Sequence, residues 1–183
     1  MQIDSTALQQ RFFLLPLSAG EQDGEPVYCL FTQNQVVEVL GQKTVYPVPF
    51  SPDHVQGFIQ WHEGLVPVVD VDVLCGLADK KAGSQARQLL LLRTGQIDTT
   101  TGEFLKLALV CTSTVLTFKL TERDAAQTVA VEQVPVALAD QDLVRGFFRL
   151  RGYRVALLDF DTIAQGTHGL GKVDHAKDES FAW

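Results

Sequence analysis

Short apolar segments separated by polar turns run along most of the chain and predict an all-β protein. They are rich in Val, Leu, Phe and Thr, which in runs this short favour strands over helices. The candidate strands are Arg11–Leu17, Val27–Thr32, Val55–Trp61, Leu65–Val69, Gln88–Arg93, Phe104–Cys111, Leu116–Leu120, Val144–Leu150 and Arg154–Asp159. Helical pattern is limited to about one turn after an aspartate, at Val73–Leu77 and Asp161–Gln165. Many short strands with few helices indicate a sandwich or a barrel.

An internal repeat divides the chain into two related halves. Gly57–Ile59 and Gly146–Phe148, each a glycine followed by apolar residues, lie 89 positions apart. The same offset relates Val69–Asp72 to Leu158–Asp161, where an apolar strand ends in Asp-x-Asp. The intervening stretches QWHEGLVPV and RLRGYRVAL have equal length. Two copies are fewer than a solenoid needs, so the repeat predicts a duplicated barrel.

The domain organisation follows from the repeat and from one polar linker. Residues 79–86 are small or polar and lack an apolar period, so they predict a linker between the halves. The first subdomain then covers about 11–78 and the second about 87–165, and the chain ends can intertwine between them. Residues 1–10 form an N-terminal extension, and the glycine-rich, charged residues 166–183 predict a flexible tail.

Charge and cysteine content narrow the range of partners and compartments. The formal net charge is −7, and a surface of that sign repels phosphate backbones, so we expect no nucleic-acid partner. No apolar run approaches the roughly 18 residues that cross a bilayer, so we expect no membrane insertion. The cysteines Cys29, Cys75 and Cys111 are odd in number and widely spaced, which favours the reducing cytoplasm.

Chemistry-bearing motifs are scarce. The histidines have no metal-ligand spacing with the cysteines, and no nucleophile elbow or Cys-His signature is present. These residues therefore predict no catalytic residue, no metal site and no cofactor.

Several short motifs together resemble the CheW-like adaptor family of chemotaxis. The family pattern runs V-x-E-V, a P-x-P connector, P-x-x-x-x-G-V-I and then a V-P-V-V-D-L strand. The matching residues are Val36–Leu40, Pro47–Pro49, Ser51–Asp53, Gly57–Ile59 and Val66–Asp70, with weaker echoes at Leu107–Val110 and Arg145–Asp161. Each piece is weak alone, and the block from Val36 to Asp70 is specific in combination.

The resemblance covers about residues 11–165 and implies both a fold and a function. Proteins of this family fold as two small five-stranded β-barrels packed side by side. They are non-enzymatic adaptors that couple methyl-accepting chemoreceptors to a CheA-type histidine kinase. The implied partners are therefore the regulatory domain of the kinase and the cytoplasmic tip of a chemoreceptor. The array could serve chemotaxis, pilus motility or phototaxis.

The resemblance also carries over candidate binding residues. It places Val36, Glu38 and Gly57 on the kinase-binding side, with Val36 and Glu38 on one face of a strand. It places Trp61, His62 and Glu63 at a groove that binds the receptor. Trp61 has two interpretations, a residue of the core or an exposed anchor for a helical partner.

The receptor side departs from the family pattern. The family has N-L-R-G before the V-P-V-V-D strand, and here the aligned residues are Gln60, Trp61, His62 and Glu63. A histidine lacks the planar fork of donors of arginine, and Glu63 adds a negative charge where a glycine is expected. One alternative is therefore a degenerate adaptor that binds only the kinase.

The Asp-x-Asp pairs suggest an alternative function of a different class, that of a metal-dependent protein. Asp70 with Asp72, and Asp159 with Asp161, could hold a cation in a metal-dependent β-barrel protein. Each pair also stands between an apolar strand and a short helical turn, where aspartate caps free amides. Both pairs occupy equivalent repeat positions, which favours the capping interpretation.

Overall fold

The computed structural model describes residues 11–17, 26–78, 88–119, 129–130 and 143–168. The predicted extension 1–10, the predicted linker 79–86 and residues 169–183 of the predicted tail lie outside these ranges. The strands are β1 (Arg11–Leu17), β2 (Val27–Thr32), β3 (Val36–Leu40), β4 (Val55–Trp61), β5 (Gly64–Val69), β6 (Gln88–Ile97), β7 (Phe104–Cys111), β8 (Leu116–Lys119), β9 (Val129–Ala130), β10 (Val144–Leu150) and β11 (Tyr153–Leu158). The helices are α1 (Val71–Leu74) and α2 (Phe160–His168).

The strands form two sheets, which confirms the all-β, two-part architecture. One sheet has six strands in the order β8-β1-β2-β11-β10-β9, and the other has five in the order β3-β6-β7-β5-β4. Each sheet contains one parallel pair of strands, β2 with β11 in the first sheet and β5 with β7 in the second. The other neighbouring strands are antiparallel. In the described part of the chain, the two predicted barrels are sheets of six and five strands that do not close. Within the described residues no ladder pairs β8 with β9 or β3 with β4.

The two halves of the repeat exchange strands between the sheets. The first half supplies the β1–β2 hairpin to the six-stranded sheet and β3, β4 and β5 to the five-stranded sheet. The second half does the reverse, because its β6–β7 hairpin joins the five-stranded sheet and its later strands join the six-stranded one. The sheets therefore do not divide at the predicted linker 79–86, and each subdomain contains strands from both halves.

A shared apolar core lies between the sheets, and each sheet has a smaller core of its own. The shared core combines residues of both sheets and helices, among them Phe31, Leu109 and Phe160. A second cluster, including Ile59, Val68 and Leu91, lies on the other face of the five-stranded sheet. Strand β6 contributes to both clusters, and Leu89–Leu92 is buried on both faces as an unbroken apolar run.

The repeat unit is reproduced residue by residue. β4–β5–α1 and β10–β11–α2 begin 89 positions apart, and both hairpins have a bulge at the glycine, Gly57 in one and Gly146 in the other. The first residue of each hairpin turn has a left-handed backbone conformation, His62 in the first hairpin and Arg151 in the second. The two units are thus structural duplicates joined into different sheets.

Candidate functional site

The structure brings together Glu38 and Trp61, which the resemblance assigned to different partners. The indole Nε1–H of Trp61 donates a hydrogen bond to Oε2 of Glu38 across 3.4 Å. Glu38 lies in β3 and Trp61 at the end of β4, the two edge strands of the five-stranded sheet. The sheet therefore curls until its edges approach, although no ladder joins them.

Trp61 is half-buried, so it is neither a pure core residue nor a fully exposed anchor. The ring packs against the second core cluster beside Val45. The Nζ of Lys106 lies 5.5 Å from its ring centroid, and the His62 ring stands edge-on at 4.2 Å between centroids. One side of Trp61 is thus a core contact and the other faces a polar surface.

That polar surface is a cleft between the tips of two hairpins, here named the hairpin cleft. It has a volume of about 880 Å³. Its lining comes from both hairpins: Trp61, His62, Glu63, Gly64, Leu65, Val66, Asp98, Thr101, Glu103, Phe104, Leu105 and Lys106. The three predicted receptor-side residues therefore share one cleft. Its exposed apolar groups are Leu65 at 66 % and Phe104 at 42 %.

The charges in the hairpin cleft are mostly negative. Lys106 pairs with Glu103 across 2.8 Å, and this cation and its hydrogen bond lower the pKa of the Glu103 carboxyl. Asp98 Oδ1 accepts a hydrogen bond from the backbone N–H of Thr100 at 2.7 Å, which holds the β6–β7 loop. The exposed carboxylate of Glu63 adds another negative charge at the opposite wall.

Edge strand β3 does not alternate as predicted. A register shift between Val36 and Glu38 interrupts its pairing with β6, because Val36 lies opposite Leu92 and Glu38 opposite Leu91. Val36 is half-buried against the shared core. The apolar residues that β3 exposes are instead Val37, at 39 %, and Val39, at 43 %. The bulge therefore places Val37, Glu38 and Val39 together at the surface.

Gly57, the third predicted kinase-side residue, has a structural explanation. Its φ is +140°, and a Cβ there would stand 2.2 Å from the carbonyl oxygen of Tyr46. Tyr46 pairs with Phe58 through two backbone hydrogen bonds of 2.8 and 2.9 Å, which lays the segment after β3 against the outer edge of β4. The surface at Gly57 is therefore provided by Tyr46 and Pro47.

The His62–Glu63 turn joins β4 to β5 where the family pattern has Arg-Gly. His62 has φ 49°, in the left-handed region, and both residues are exposed. Histidine is one of the non-glycine residues enriched in that region. The equivalent turn of the second half, Arg151–Gly152, keeps Arg-Gly, and both of its residues have positive φ. The departure seen in the sequence is thus confined to the first half.

The Asp-x-Asp pairs cap helices. Asp70 Oδ1 accepts hydrogen bonds from the N–H groups of Asp72 and Val73, at 3.1 and 3.3 Å. Asp159 Oδ1 does the same for Asp161 and Thr162, at 3.1 and 3.2 Å. The first aspartate of each pair is the cap, so both helices begin earlier than predicted.

The metal-dependent alternative has no geometric support in the described residues. Within them no group of three or more His, Cys, Asp or Glu side chains is arranged to hold a metal ion. The second aspartate of the second pair has another partner, since Asp161 Oδ1 accepts a hydrogen bond from Gly95 N–H at 2.7 Å. That bond ties α2 to β6.

A sequence model of the CheW-like domain matches residues 19–168, which is most of the chain. The chain belongs to the CheW-like family. A search of the curated proteins returned no match. Since this family consists of signalling scaffolds, membership supports a role as a scaffold or adaptor in chemotaxis signalling.

A solved structure supports the same fold. The scaffolding protein TtCheW from Thermoanaerobacter tengcongensis is similar with a TM-score of 0.54, at 15% sequence identity. The similarity covers 86% of this chain and 89% of that one. The two-subdomain arrangement of this CheW-like protein is therefore that of a known CheW scaffold.

In the described part of this CheW-like protein, no helix is both long and apolar enough to span a membrane.

Sequence reasoning missed four residues that shape these surfaces. The exposure of Val37 and Val39 was not predicted, because the bulge is set by pairing with β6 and leaves no local signal. Lys106 and Phe104 belong to the β6–β7 hairpin, and their place beside Trp61 depends on the exchange of hairpins between sheets. In the sequence, the one local signal of a surface position is the charged side chain of Lys106 between Leu105 and Leu107.

Proposed function

We propose that this CheW-like protein is an adaptor that couples chemoreceptors to a CheA-type histidine kinase. The observation that carries the proposal is the family match over residues 19–168. The protein would bind the regulatory domain of the kinase with one surface and the cytoplasmic tip of a receptor with another, in an array for chemotaxis, pilus motility or phototaxis. It would catalyse no reaction itself.

The exposed edge of β3 supports the kinase side of the proposal. Val37 and Val39 offer apolar contacts on either side of the charged Glu38. Partner surfaces of this kind combine a small apolar centre with a charge that selects the partner. We assign the apolar contact to these two valines, since Val36 is half-buried against the shared core.

The hairpin cleft supports the receptor side. Leu65 and Phe104 are exposed there, and Trp61 has one covered face, so the cleft offers apolar area with a polar rim. A helical partner of the receptor type lays apolar residues into such a groove. The excess of carboxylates over cations favours a receptor segment with basic residues beside its apolar ones.

A pull-down with two immobilised partners tests the proposal on the full chain. One partner is the regulatory domain of a CheA-type kinase, and the other is the cytoplasmic signalling fragment of a chemoreceptor, both from the same genome. We expect both to retain the protein. Val39→Asp should abolish retention by the kinase domain only, and Leu65→Asp retention by the receptor fragment only. A folded wild-type protein retained by neither partner would overturn the proposal.

A second candidate, an adaptor that binds only the kinase, is favoured by the His62–Glu63 turn. This turn carries no permanent positive charge, whereas the family pattern places an arginine there. Receptor co-sedimentation of the wild type and His62→Arg separates the two candidates. Co-sedimentation of the wild type supports the coupling adaptor. Co-sedimentation of His62→Arg alone supports the kinase-only adaptor.

A further inference from the structure

Phe50 is the most exposed large apolar side chain in the described part of the chain. Its exposure is 105 %, and no other large apolar residue there exceeds 66 %. Its backbone has φ 61°, in the left-handed region, which is an outlier for a bulky residue. Phe50 therefore occupies an unfavourable conformation in which its side chain is fully exposed.

The loop that carries Phe50 is held firmly in place. Residues 46–52, here named the aromatic loop, contain Pro47, Pro49 and Pro52, which fix three φ angles. Ser51 Oγ lies 3.0 Å from the carbonyl oxygen of Val48 and 3.2 Å from that of Val55. The ring of Phe50 is thus presented on a rigid support, which lowers the entropic cost of binding through it.

The aromatic loop and the hairpin cleft lie at opposite ends of β4. The loop leads into Val55, the first residue of the strand, whereas the cleft begins at Trp61, the last. A strand of seven residues is about 20 Å long. A partner in the cleft and a partner on the loop could therefore bind at the same time.

The aromatic loop adjoins Gly57, the residue that the resemblance places on the kinase-binding side. Its first residues, Tyr46 and Pro47, cover Gly57, and Tyr46 is itself 57 % exposed. The surface contains two aromatic rings and three prolines and no charged side chain within residues 46–52. A partner surface that fits this loop would contain an apolar pocket wide enough for a phenyl ring.

We propose that Phe50 is the anchor residue with which this protein binds the regulatory domain of the CheA-type kinase. The inference rests on the proposed function and adds a residue that the family resemblance did not include. A large aromatic ring inserted into a desolvated pocket is typical of binding hot spots. The unfavourable backbone of Phe50 is then explained by binding and not by folding.

Phe50→Asn tests the proposal, because asparagine tolerates the left-handed conformation and removes the ring. We expect the variant to bind the kinase domain about 30-fold more weakly by calorimetry, the size of a typical hot-spot loss. We also expect its melting temperature to rise by about 2–4 °C as the backbone relaxes. Phe50→Tyr, which keeps the ring, should retain most of the affinity. The matched control is Ile97→Asn, since Ile97 is 54 % exposed on the hairpin that borders the cleft.

The outcomes distinguish the anchor from the adaptor function itself. If wild type binds the kinase domain and Phe50→Asn binds equally well, the anchor is overturned and the proposed function stands. If Phe50→Asn instead loses only the receptor fragment, or only self-association, the assignment to the kinase is overturned. If the folded wild type does not bind the kinase domain, the proposed function fails and the anchor with it.

Discussion

Trp61 donates its indole N–H to the carboxylate of Glu38, and this contact joins the two edge strands of the five-stranded sheet. The resemblance assigns Glu38 to the kinase side and Trp61 to the receptor side. Since Trp61 also lines the hairpin cleft, a change at Glu38 reaches both proposed binding surfaces. The contact is thus a physical link between the two proposed binding surfaces.

The stability contributed by this contact can be separated from that of the indole ring. Trp61→Phe keeps most of the apolar area and loses the donor, so we expect a loss of about 0.5–1 kcal/mol, small because the bond is long and exposed. Trp61→Ala also empties the edge of the second core cluster and should cost about 2–3 kcal/mol. Urea unfolding measures both. A double-mutant cycle of Trp61→Phe with Glu38→Ala should give a coupling near 0.5 kcal/mol, and strict additivity would contradict the contact.

The two repeat glycines should respond differently to the same substitution. Gly57→Ala forces a Cβ to within 2.2 Å of the Tyr46 carbonyl oxygen at a positive φ, so we expect a loss of about 2–5 kcal/mol. Gly146→Ala meets only Leu157 Cδ1 at 3.8 Å, so its stability should be unchanged or rise by up to about 1 kcal/mol. Thermal unfolding of the pair checks this, and equal effects would contradict the role of Tyr46.

The parts of the fold that are local in the sequence could be predicted. The β4–β5 and β10–β11 hairpins follow from a short apolar pattern, a turn and a capping aspartate, all within about twenty residues. The repeat offset of 89 positions then correctly predicts that the two units are alike. The exchange of the β1–β2 and β6–β7 hairpins between sheets depends on contacts between residues far apart in the sequence. It could therefore not be predicted from the pattern of either hairpin alone.

The candidate site was predictable to a similar extent. The sequence brings Trp61, His62 and Glu63 together because they are consecutive, and the structure places all three in one cleft. It could not predict the hydrogen bond from Trp61 to Glu38, which spans 23 positions and depends on the curl of the sheet. Nor could it predict the bulge that turns Val36 inward and leaves Val37 and Val39 exposed, because bulges arise from pairing with a neighbouring strand.

The cysteines should be unreactive in the native protein. All three are buried, and burial raises the pKa of Cys75 to about 12 and that of Cys111 to about 11. Burial also raises the pKa of Cys29 well above its usual value. Because the thiolate is the reactive form, a thiol reagent at pH 8 should modify the native protein at least about 100-fold more slowly than the unfolded chain. A fast-reacting thiol in the native state would contradict this burial.

The capping aspartates should make opposite contributions to the pH dependence of stability. Burial raises the pKa of Asp70 above its usual 3.8, and the hydrogen bonds from Val73 and Asp72 only partly offset this effect. For Asp159, burial acts in the same direction, but hydrogen bonds from Thr162 and Arg145 outweigh it and lower the pKa. Asp159 therefore contributes stability above pH 3.8 that is lost as the pH falls through its lower folded-state pKa. Asp70 disfavours the folded state at neutral pH, and this cost disappears as the pH falls through its raised pKa.

Asparagine variants measure these two contributions directly, because asparagine still caps a helix and does not titrate. Asp159→Asn should be less stable than wild type at pH 7, and the difference should shrink as the pH falls below 3.8, the usual pKa of this carboxyl. Asp70→Asn should show its greatest relative stability at pH 7 and lose that advantage as the pH falls through the raised pKa of Asp70 to 3.8. Denaturant unfolding at several pH values gives both curves. If the two variants changed with pH in the same direction, the Arg145 and Thr162 contacts would not control the ionisation of Asp159.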